Sequence, residues 1–345
     1  MFLNVVNKFS ERFLHHKSLA GYIEPIAQRI LPAWRSDLYR AKVKLLSSKK
    51  AGYLNLVLEP QKQWPSFVAG QHIELTVELD GRLLTRVFTI ASSPNHFKRH
   101  KTIVLLIKRN KLGRFTQPLL SSLNHNCWVN ISAARGGVTL VNDNKPVVMV
   151  AGGSGITPII SMLEQHLASI TKPVYLRYVA SQGAHQMTDL LTKLALAYPH
   201  FSYHIMTRAI HLQNPLQLSL NTDVYSCGPE SLMASVAGLA KEAECDFYQE
   251  HFAFTPIISE QQADFEVVIN QRVHIVTNEQ NLLDQLQQAK APVIRGCGIG
   301  VCHQCQCVKA KGVVKNLKTG EISDSAQGLI QLCISQPLTD LEITI

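Results

Sequence analysis

Between residues 41 and 142 apolar and polar positions alternate in short runs, AKVKLLS, YLNLVLE, HIELTVEL, RVFTIAS, TIVLLIK and CWVNISA, parted by turn residues such as Asp80 and Gly81. Period-two alternation interrupted at this spacing predicts a small antiparallel β-barrel. From Lys145 the pattern changes to nearly unbroken apolar runs, VVMVAGG, VYLRYVA, FSYHIMT and DVYSCG, with helical stretches between them. Strands apolar on both faces, alternating with helices, predict an α/β unit with a parallel sheet over residues 145–255. Residues 264–345 form a third, α+β regime: strands FEVVIN and RVHIVT, a helix around 280–288, a glycine- and cysteine-rich loop and a closing strand LEITI. Ahead of the barrel, in residues 1–40, Phe2, Val5, Val6, Phe9 and Phe13 fall near one helical face with Lys8, Glu11 and Arg12 away from it, until Pro25 and Pro32 break the pattern. Such a helix suits a membrane surface, a partner, or the neighbouring barrel.

Composition adds to this picture. At 345 residues and 46% hydrophobic content the chain can bury two or three domain cores, which excludes disordered and fibrous classes. No run of 18 apolar residues occurs and the N-terminus lacks a signal-peptide cleavage pattern, so neither export nor a membrane span is expected. The net charge of +9 is uneven: residues 1–50 carry ten Lys or Arg against three Asp or Glu, whereas residues 264–345 carry seven against eight. A basic arm of this kind can face anionic lipid, an acidic protein or nucleic acid, and the absence of aromatic-rich nucleic-acid motifs leaves lipid or protein. The expectation is a cytoplasmic protein, peripheral at the inner face of a membrane.

The chain has eight cysteines, and four of them carry the most specific chemistry. Cys297, Cys302 and Cys305 stand in C-x4-C-x2-C spacing with Cys333 lying 28 residues on, the pattern of a plant-type [2Fe-2S] centre. Gly296, Gly298 and Gly300 let the loop fold tightly enough to bring thiolates to two irons while amides donate to sulfur. Zinc fits less well, because only one C-x2-C pair is present, and a Rieske centre needs two histidines where only His303 adjoins a cysteine. Cys307 is read as a non-ligand thiol. With the other four cysteines, Cys127, Cys227, Cys245 and Cys307, scattered, a reducing compartment is expected.

Two further segments point to phosphate. VVMVAGGSGITPIISML is a strand, a glycine turn with Gly152, Gly153 and Gly155, and a helix opened by Thr157 and Pro158, whose free amides suit an anion. GRFT at residues 113–116 offers backbone amides with Arg114 and Thr116 as donors. With RVFTIASSP at 86–94, the AGGSGITP turn and YSCGPESLM at 225–233 in this order, the chain resembles the ferredoxin reductase superfamily. Over about residues 41–345 it is similar to members in which a flavin barrel (41–142), a nicotinamide domain (145–255) and a C-terminal ferredoxin-like β-grasp [2Fe-2S] domain (264–345) are fused.

The resemblance implies roles residue by residue. Arg86, Phe88 and Thr89 match the flavin motif, with the arginine on phosphate, the ring against the isoalloxazine and the hydroxyl near its redox nitrogen. Phe88 replaces the family's tyrosine, which keeps the ring contact and drops the phenol's hydrogen bond. Gly113, Arg114, Phe115 and Thr116 match the second flavin-phosphate segment, and Gly153, Gly155 and Thr157 the nucleotide turn. Cys227, Gly228, Pro229 and Met233 match an element that sets the cysteine beside the nicotinamide carbon. Residues 248–254, YQEHFAF, match the aromatic segment that closes over the flavin, and Thr207 with Arg208 matches the pair that holds the 2′-phosphate of NADPH.

A nicotinamide gives two electrons as hydride, a [2Fe-2S] cluster takes one, and a flavin can do both. The expected activity is therefore an NAD(P)H-dependent reductase using FAD, with FMN as the alternative, and NADPH, with NADH as the alternative. Electrons would pass through the cluster to an external acceptor. CHQC in the cluster loop and the YIEPIAQRILPAW arm resemble reductases serving membrane di-iron fatty-acid desaturases. Soluble ring-hydroxylating or acyl-CoA-oxygenating systems are the alternative acceptors, and an iron-sulfur redox sensor the non-enzymatic one.

Overall fold

A computed structural model describes residues 39–79, 82–110, 115–136, 138–140, 145–250, 263–300 and 303–345. The N-terminal arm, Gly113, Arg114, residues 251–254 of the aromatic segment and Cys302 lie outside these described residues. The described residues fall into two compact units, one ending at Glu250 and the other reaching Ile345.

The first unit opens with six antiparallel strands, β1 (Tyr39–Ser48), β2 (Tyr53–Pro60), β3 (His72–Leu79), β4 (Arg82–Thr89), β5 (Ile103–Lys108) and β6 (Trp128–Ile131), in the order β4-β3-β6-β1-β2-β5. A bridge between Ile90 and Leu105 joins the two ends of that order and nearly closes the sheet into a barrel. The alternation in the sequence becomes alternation of burial: in β2 and β3 every second side chain, Leu54, Leu56 and Leu58 or Ile73, Leu75 and Val77, turns into the barrel. Each such aliphatic side chain removed from water contributes about 1.5–3 kcal/mol. Two short helices follow β4 and β5, α1 (Pro94–His100), capped by the Ser93 hydroxyl accepting from His96 N, and α2 (Leu119–Ser122).

Five parallel strands come next, β7 (Val147–Gly152), β8 (Val174–Val179), β9 (Phe201–Met206), β10 (Asp223–Cys227) and β11 (Asp246–Glu250), ordered β11-β10-β7-β8-β9. The helices between them are α3 (Ile156–His166), α4 (Thr188–Ala197), α5 (Arg208–Gln213) and α6 (Glu230–Glu242). β7 and β8 are buried along nearly their whole length, as expected for strands covered on both faces. Tyr248, Gln249 and Glu250, the start of the aromatic segment 248–254, belong to the edge strand β11, which the sequence pattern does not announce. DFYQE is polar and half exposed, so no apolar run announces it.

Barrel and parallel sheet share one core, since Tyr53, Ala91 and Leu106 pack among Met149, Ile159 and Tyr178. Polar ties fix their relation. Ser161 Oγ donates to Ser92 O at 2.9 Å, Glu164 Oε2 accepts from Ser93 N at 3.2 Å, and Gln186 Nε2 donates to Lys50 O at 3.2 Å.

The second unit is a mixed five-stranded sheet ordered β13-β12-β18-β14-β16, with a separate pair β15-β17. Its strands are β12 (Asp264–Ile269), β13 (Arg272–Thr277), β14 (Gln306–Lys311), β15 (Val314–Asn316), β16 (Gly328–Gln331), β17 (Ser335–Pro337) and β18 (Leu341–Thr344). Helix α7 (Leu282–Gln288) buries Leu282, Leu283 and Leu286 against them, and the Asn281 side chain caps it by accepting from Asp284 N. Inside the sheet, Lys309 is 1% exposed, and its ammonium donates to the carbonyls of Gly312, Asp324 and Ala326. Three donors meet three acceptors, which offsets the cost of burying the charge.

Candidate functional site

The parallel sheet runs outward from β7 through β8 and β9, then returns to place β10 and β11 on the other side of β7. The carboxyl ends of β7 and β10 therefore bound a crevice at the reversal of strand order, where α/β sheets bind ligands. A Cβ on Gly155 would lie 2.0 Å from the Cys227 carbonyl oxygen, and one on Gly228 would lie 2.8 Å from Gly152 Cα. The AGGSG turn and the CGP turn are thus in backbone contact, which brings Gly153, Gly155, Gly228 and Pro229 to one place. Thr157 is buried and donates its hydroxyl to Ser154 O at 2.9 Å, so its hydrogen serves the turn itself.

Beside these turns is a cleft of about 220 Å³ lined by Gly153, Pro229, Ser231, Arg208 and His211, with Lys108 of the barrel also in its wall. Thr207 caps α5, its hydroxyl accepting from Ile210 N at 3.4 Å, which sets Arg208 at the first helical position with its side chain in the cleft. None of the described residues lining this cleft is Asp or Glu.

At the crevice itself Cys227 is 2% exposed, and burial, then the neighbouring Glu250, pushes its thiol well above the ordinary range. Glu250 stands next to Cys227 in the register of β10 and β11. Its carboxyl is buried and held above the usual value, with the His72 hydrogen bond opposing the shift. Oε1 meets His72 Nδ1 at 3.4 Å, while Oε2 is buried without a hydrogen-bond partner among the described residues. His72 in turn pairs across β3 and β4 with Thr89, itself 6% exposed. The His72–Glu250 contact thus joins the barrel edge that carries Thr89 to the sheet edge that carries Cys227. Sequence reading singled out Thr89 and Cys227 and missed His72 and Glu250. The available signals were a histidine out of phase with the inward Ile73, Leu75 and Val77 of its strand and a lone carboxylate in an aromatic run. Tyr248, the first ring of that run, stacks on Tyr225 with centroids 4.7 Å apart and planes 15° apart.

The two flavin motifs converge on the barrel. Phe88 and Phe115 ring centroids lie 5.8 Å apart, and the Arg86 guanidinium carbon is 5.7 Å from the Phe115 centroid. Arg86 donates to Thr85 O at 2.7 Å, and Thr116 Oγ1 accepts from Asn110 N at 2.9 Å. Aromatic faces beside a fixed guanidinium suit a flat heterocycle carrying phosphate.

In the second unit Cys297, Cys305 and Cys333 are all buried. Cys305 and Cys333 share a hydrogen bond that lowers the first thiol and raises the second. Gly300, at φ +71°, directs its N–H to Cys333 Sγ at 3.2 Å, and Ile299 N donates to Cys297 Sγ at 3.4 Å. Amides aimed at cysteine sulfurs suit thiolate ligands of a cluster. Among the described residues no three His, Cys, Asp or Glu side chains focus on a single ion position. A two-iron cluster spreads its thiolates over both irons, so the residues present fit that group. Cys307, in the sheet core, is pushed up to about 12 by burial and by Cys305.

Residues 41–139 match the oxidoreductase FAD-binding domain family. Among curated proteins, the chain is 22% identical over 330 residues to an NADPH oxidoreductase of Mycobacterium tuberculosis, covering 91% of this chain and 86% of that one. It is 26% identical over 247 residues to the vanillate O-demethylase oxidoreductase of Pseudomonas putida, covering 69% and 76%. The fold of phthalate dioxygenase reductase superposes with a TM-score of 0.61 at 20% identity, covering 89% of this chain and 98% of that one. With the nearly closed barrel and the parallel sheet beside it, these likenesses make the chain an NAD(P)H-dependent oxidoreductase whose homologues are of the ferredoxin reductase type.

Proposed function

We propose that this reductase moves electrons from NADPH through FAD to a [2Fe-2S] cluster and on to an oxygenase component. The carrying observation is the 3.4 Å contact between His72 of the barrel, the register partner of Thr89, and Glu250 of the parallel sheet, the register partner of Cys227. Residues 41–142 would bind FAD, residues 145–255 the nucleotide, and residues 264–345 would be the ferredoxin-like domain. Bound flavin supplies the conversion of one hydride into single electrons.

In this reading Arg86, with Gly113, Arg114 and Thr116, holds the flavin phosphates, and Phe88 and Phe115 supply apolar ring contacts. Arg208 takes the 2′-phosphate of NADPH, a role favoured by the lack of any carboxylate lining the cleft, since NADH sites use one on the ribose hydroxyls. Cys227, kept as a neutral thiol by burial, packs against the nicotinamide ring without placing a charge there. The buried carboxyl of Glu250, steadied by His72, presents its unpaired oxygen at the same crevice. Cys297, Cys302, Cys305 and Cys333 ligate the cluster.

For the acceptor, the printed names of several relatives favour an oxygenase component; one is the reductase subunit of a glycine betaine monooxygenase from Pseudomonas aeruginosa. A membrane di-iron desaturase is the finer reading, resting on the CHQC loop and the basic arm. Deleting residues 1–35 should then impair sedimentation with anionic vesicles and leave ferricyanide reduction intact; loss of flavin on deletion would place the arm on the barrel instead. The main test is Cys302→Ser. It should abolish cluster absorbance and NADPH-driven cytochrome c reduction while NADPH still bleaches the flavin, and loss of bleaching with flavin bound would defeat the modular reading.

A further inference from the structure

The cleft beside the AGGSG turn holds a second polar group whose placement neither the motifs nor the proposed electron path uses. His211 lies one helical turn after Arg208, so the two side chains share a face of α5, and both line the cleft. His211 is 8% exposed, and its Nδ1 is buried with no hydrogen-bond partner among the described residues. An Nδ1 with nothing to donate to is best left unprotonated, which puts the ring hydrogen on Nε2, the remaining nitrogen and the one able to meet a ligand in the cleft.

Charge around the ring reinforces its neutral form. Arg177 of β8 lies behind it, its guanidinium anchored on Asn214 O at 2.7 Å. Arg208 precedes it on the same helix, and Lys108 of β5 is also in the cleft wall. Burial first, and the Arg177 charge second, hold the imidazole below its ordinary value. The group is therefore a neutral N–H donor, fixed by packing, in a cleft whose charged residues are all cations. Such a setting asks for a dianionic ligand with several acceptor oxygens: one for the Arg208 fork and one for an imidazole N–H.

We infer that His211 is a second ligand for the 2′-phosphate of NADPH, donating from Nε2 beside Arg208 and sharpening the choice of NADPH over NADH. This rests on the reading of the cleft as the nucleotide site. A neutral donor predicts that its contribution is already present at pH 8, where a charged imidazole would have been lost.

The test is isothermal titration of the flavin-loaded protein with 2′,5′-ADP and with 5′-AMP at pH 8, taking the ratio of the two affinities as the readout. Wild type should favour 2′,5′-ADP. His211→Phe, which keeps a ring but no donor, should lower the ratio about tenfold, the worth of one hydrogen bond to a charged group. His211→Gln, with an amide N–H, should recover much of it. An undiminished ratio in His211→Phe, together with a fall in Arg208→Ala, would overturn the inference and leave the NADPH reading in place. Equal binding of both nucleotides by wild type would remove that reading and the inference with it. If His211→Phe loses its flavin, nitrogen NMR of histidine-labelled wild type decides: the His211 Nε2 resonance should move with 2′,5′-ADP and stay with 5′-AMP, and no movement with either overturns the proposal.

Discussion

Gly155→Ala should disable nicotinamide positioning while leaving most of the fold in place. The added Cβ would start 2.0 Å from the Cys227 carbonyl oxygen and 2.8 Å from Gly228 N, both backbone atoms that cannot rotate away. Ordinary contact begins at 3.4 Å, so the two turns must separate by more than about 1 Å. Overpacking of this kind costs roughly 1–3 kcal/mol of stability. A displacement of about 1 Å at a reacting centre lowers rates by on the order of a hundredfold. Stopped-flow bleaching of the flavin by NADPH measures the rate, and thermal melting measures the stability. Gly238→Ala is the control: this glycine lies inside α6 with nothing within 4 Å of a built Cβ, so alanine should stabilise by about 0.4–1 kcal/mol and leave bleaching unaltered. A Gly155→Ala protein that melts normally and bleaches at the wild-type rate would refute the close contact between the turns as the device that places the nicotinamide.

Lys309→Met removes three donors from the Gly312, Asp324 and Ala326 carbonyls and should destabilise the second unit by about 3 kcal/mol in urea unfolding; a change below about 1 kcal/mol would mean that water takes over those carbonyls. Burial raises the folded-state value of Glu250, so the folded chain binds the extra proton between the ordinary value of 4.5 and that raised value, and stability falls as pH rises through this window by at most about 1.4 kcal/mol per pH unit. Glu250→Gln should flatten that slope in melts between pH 4 and 8, and an unchanged slope would assign it to other groups. Cys307→Ala should retain iron at the wild-type ratio per chain, because the C-x4-C-x2-C spacing with Cys333 leaves that thiol outside the proposed ligand set; lost iron would transfer the ligand role to it.

The strands of the barrel and β7 to β10 were legible because burial on one face or on both writes a period of two or a continuous apolar run. β11 was not, since an edge strand of Asp246, Phe247, Tyr248, Gln249 and Glu250 satisfies its backbone on one side and needs little apolar surface. The strands between the cysteine loop and the closing strand LEITI were missed for a related reason, being three to six residues long and rich in Lys and Gln. Lys309 reads as a surface charge in an alternating strand, and only the three carbonyls brought round by later turns make its burial tolerable. The glycine turns were visible by composition, but their mutual contact joins segments that only the strand order brings together. His72 and Glu250 are 178 residues apart, so no local pattern could pair them. Thr207 was read for phosphate, yet its hydroxyl caps the helix that presents Arg208.

The central claim is that one chain holds both a two-electron and a one-electron carrier, and counting stored electrons tests it most directly. Anaerobic dithionite titration of the purified, cofactor-loaded protein should consume about three electron equivalents per chain, two for the flavin and one for the cluster. Flavin absorbance and the signal of a reduced [2Fe-2S] centre should track the added reductant. An end point at about two equivalents in protein that contains flavin, with no iron-sulfur signal, would contradict the account.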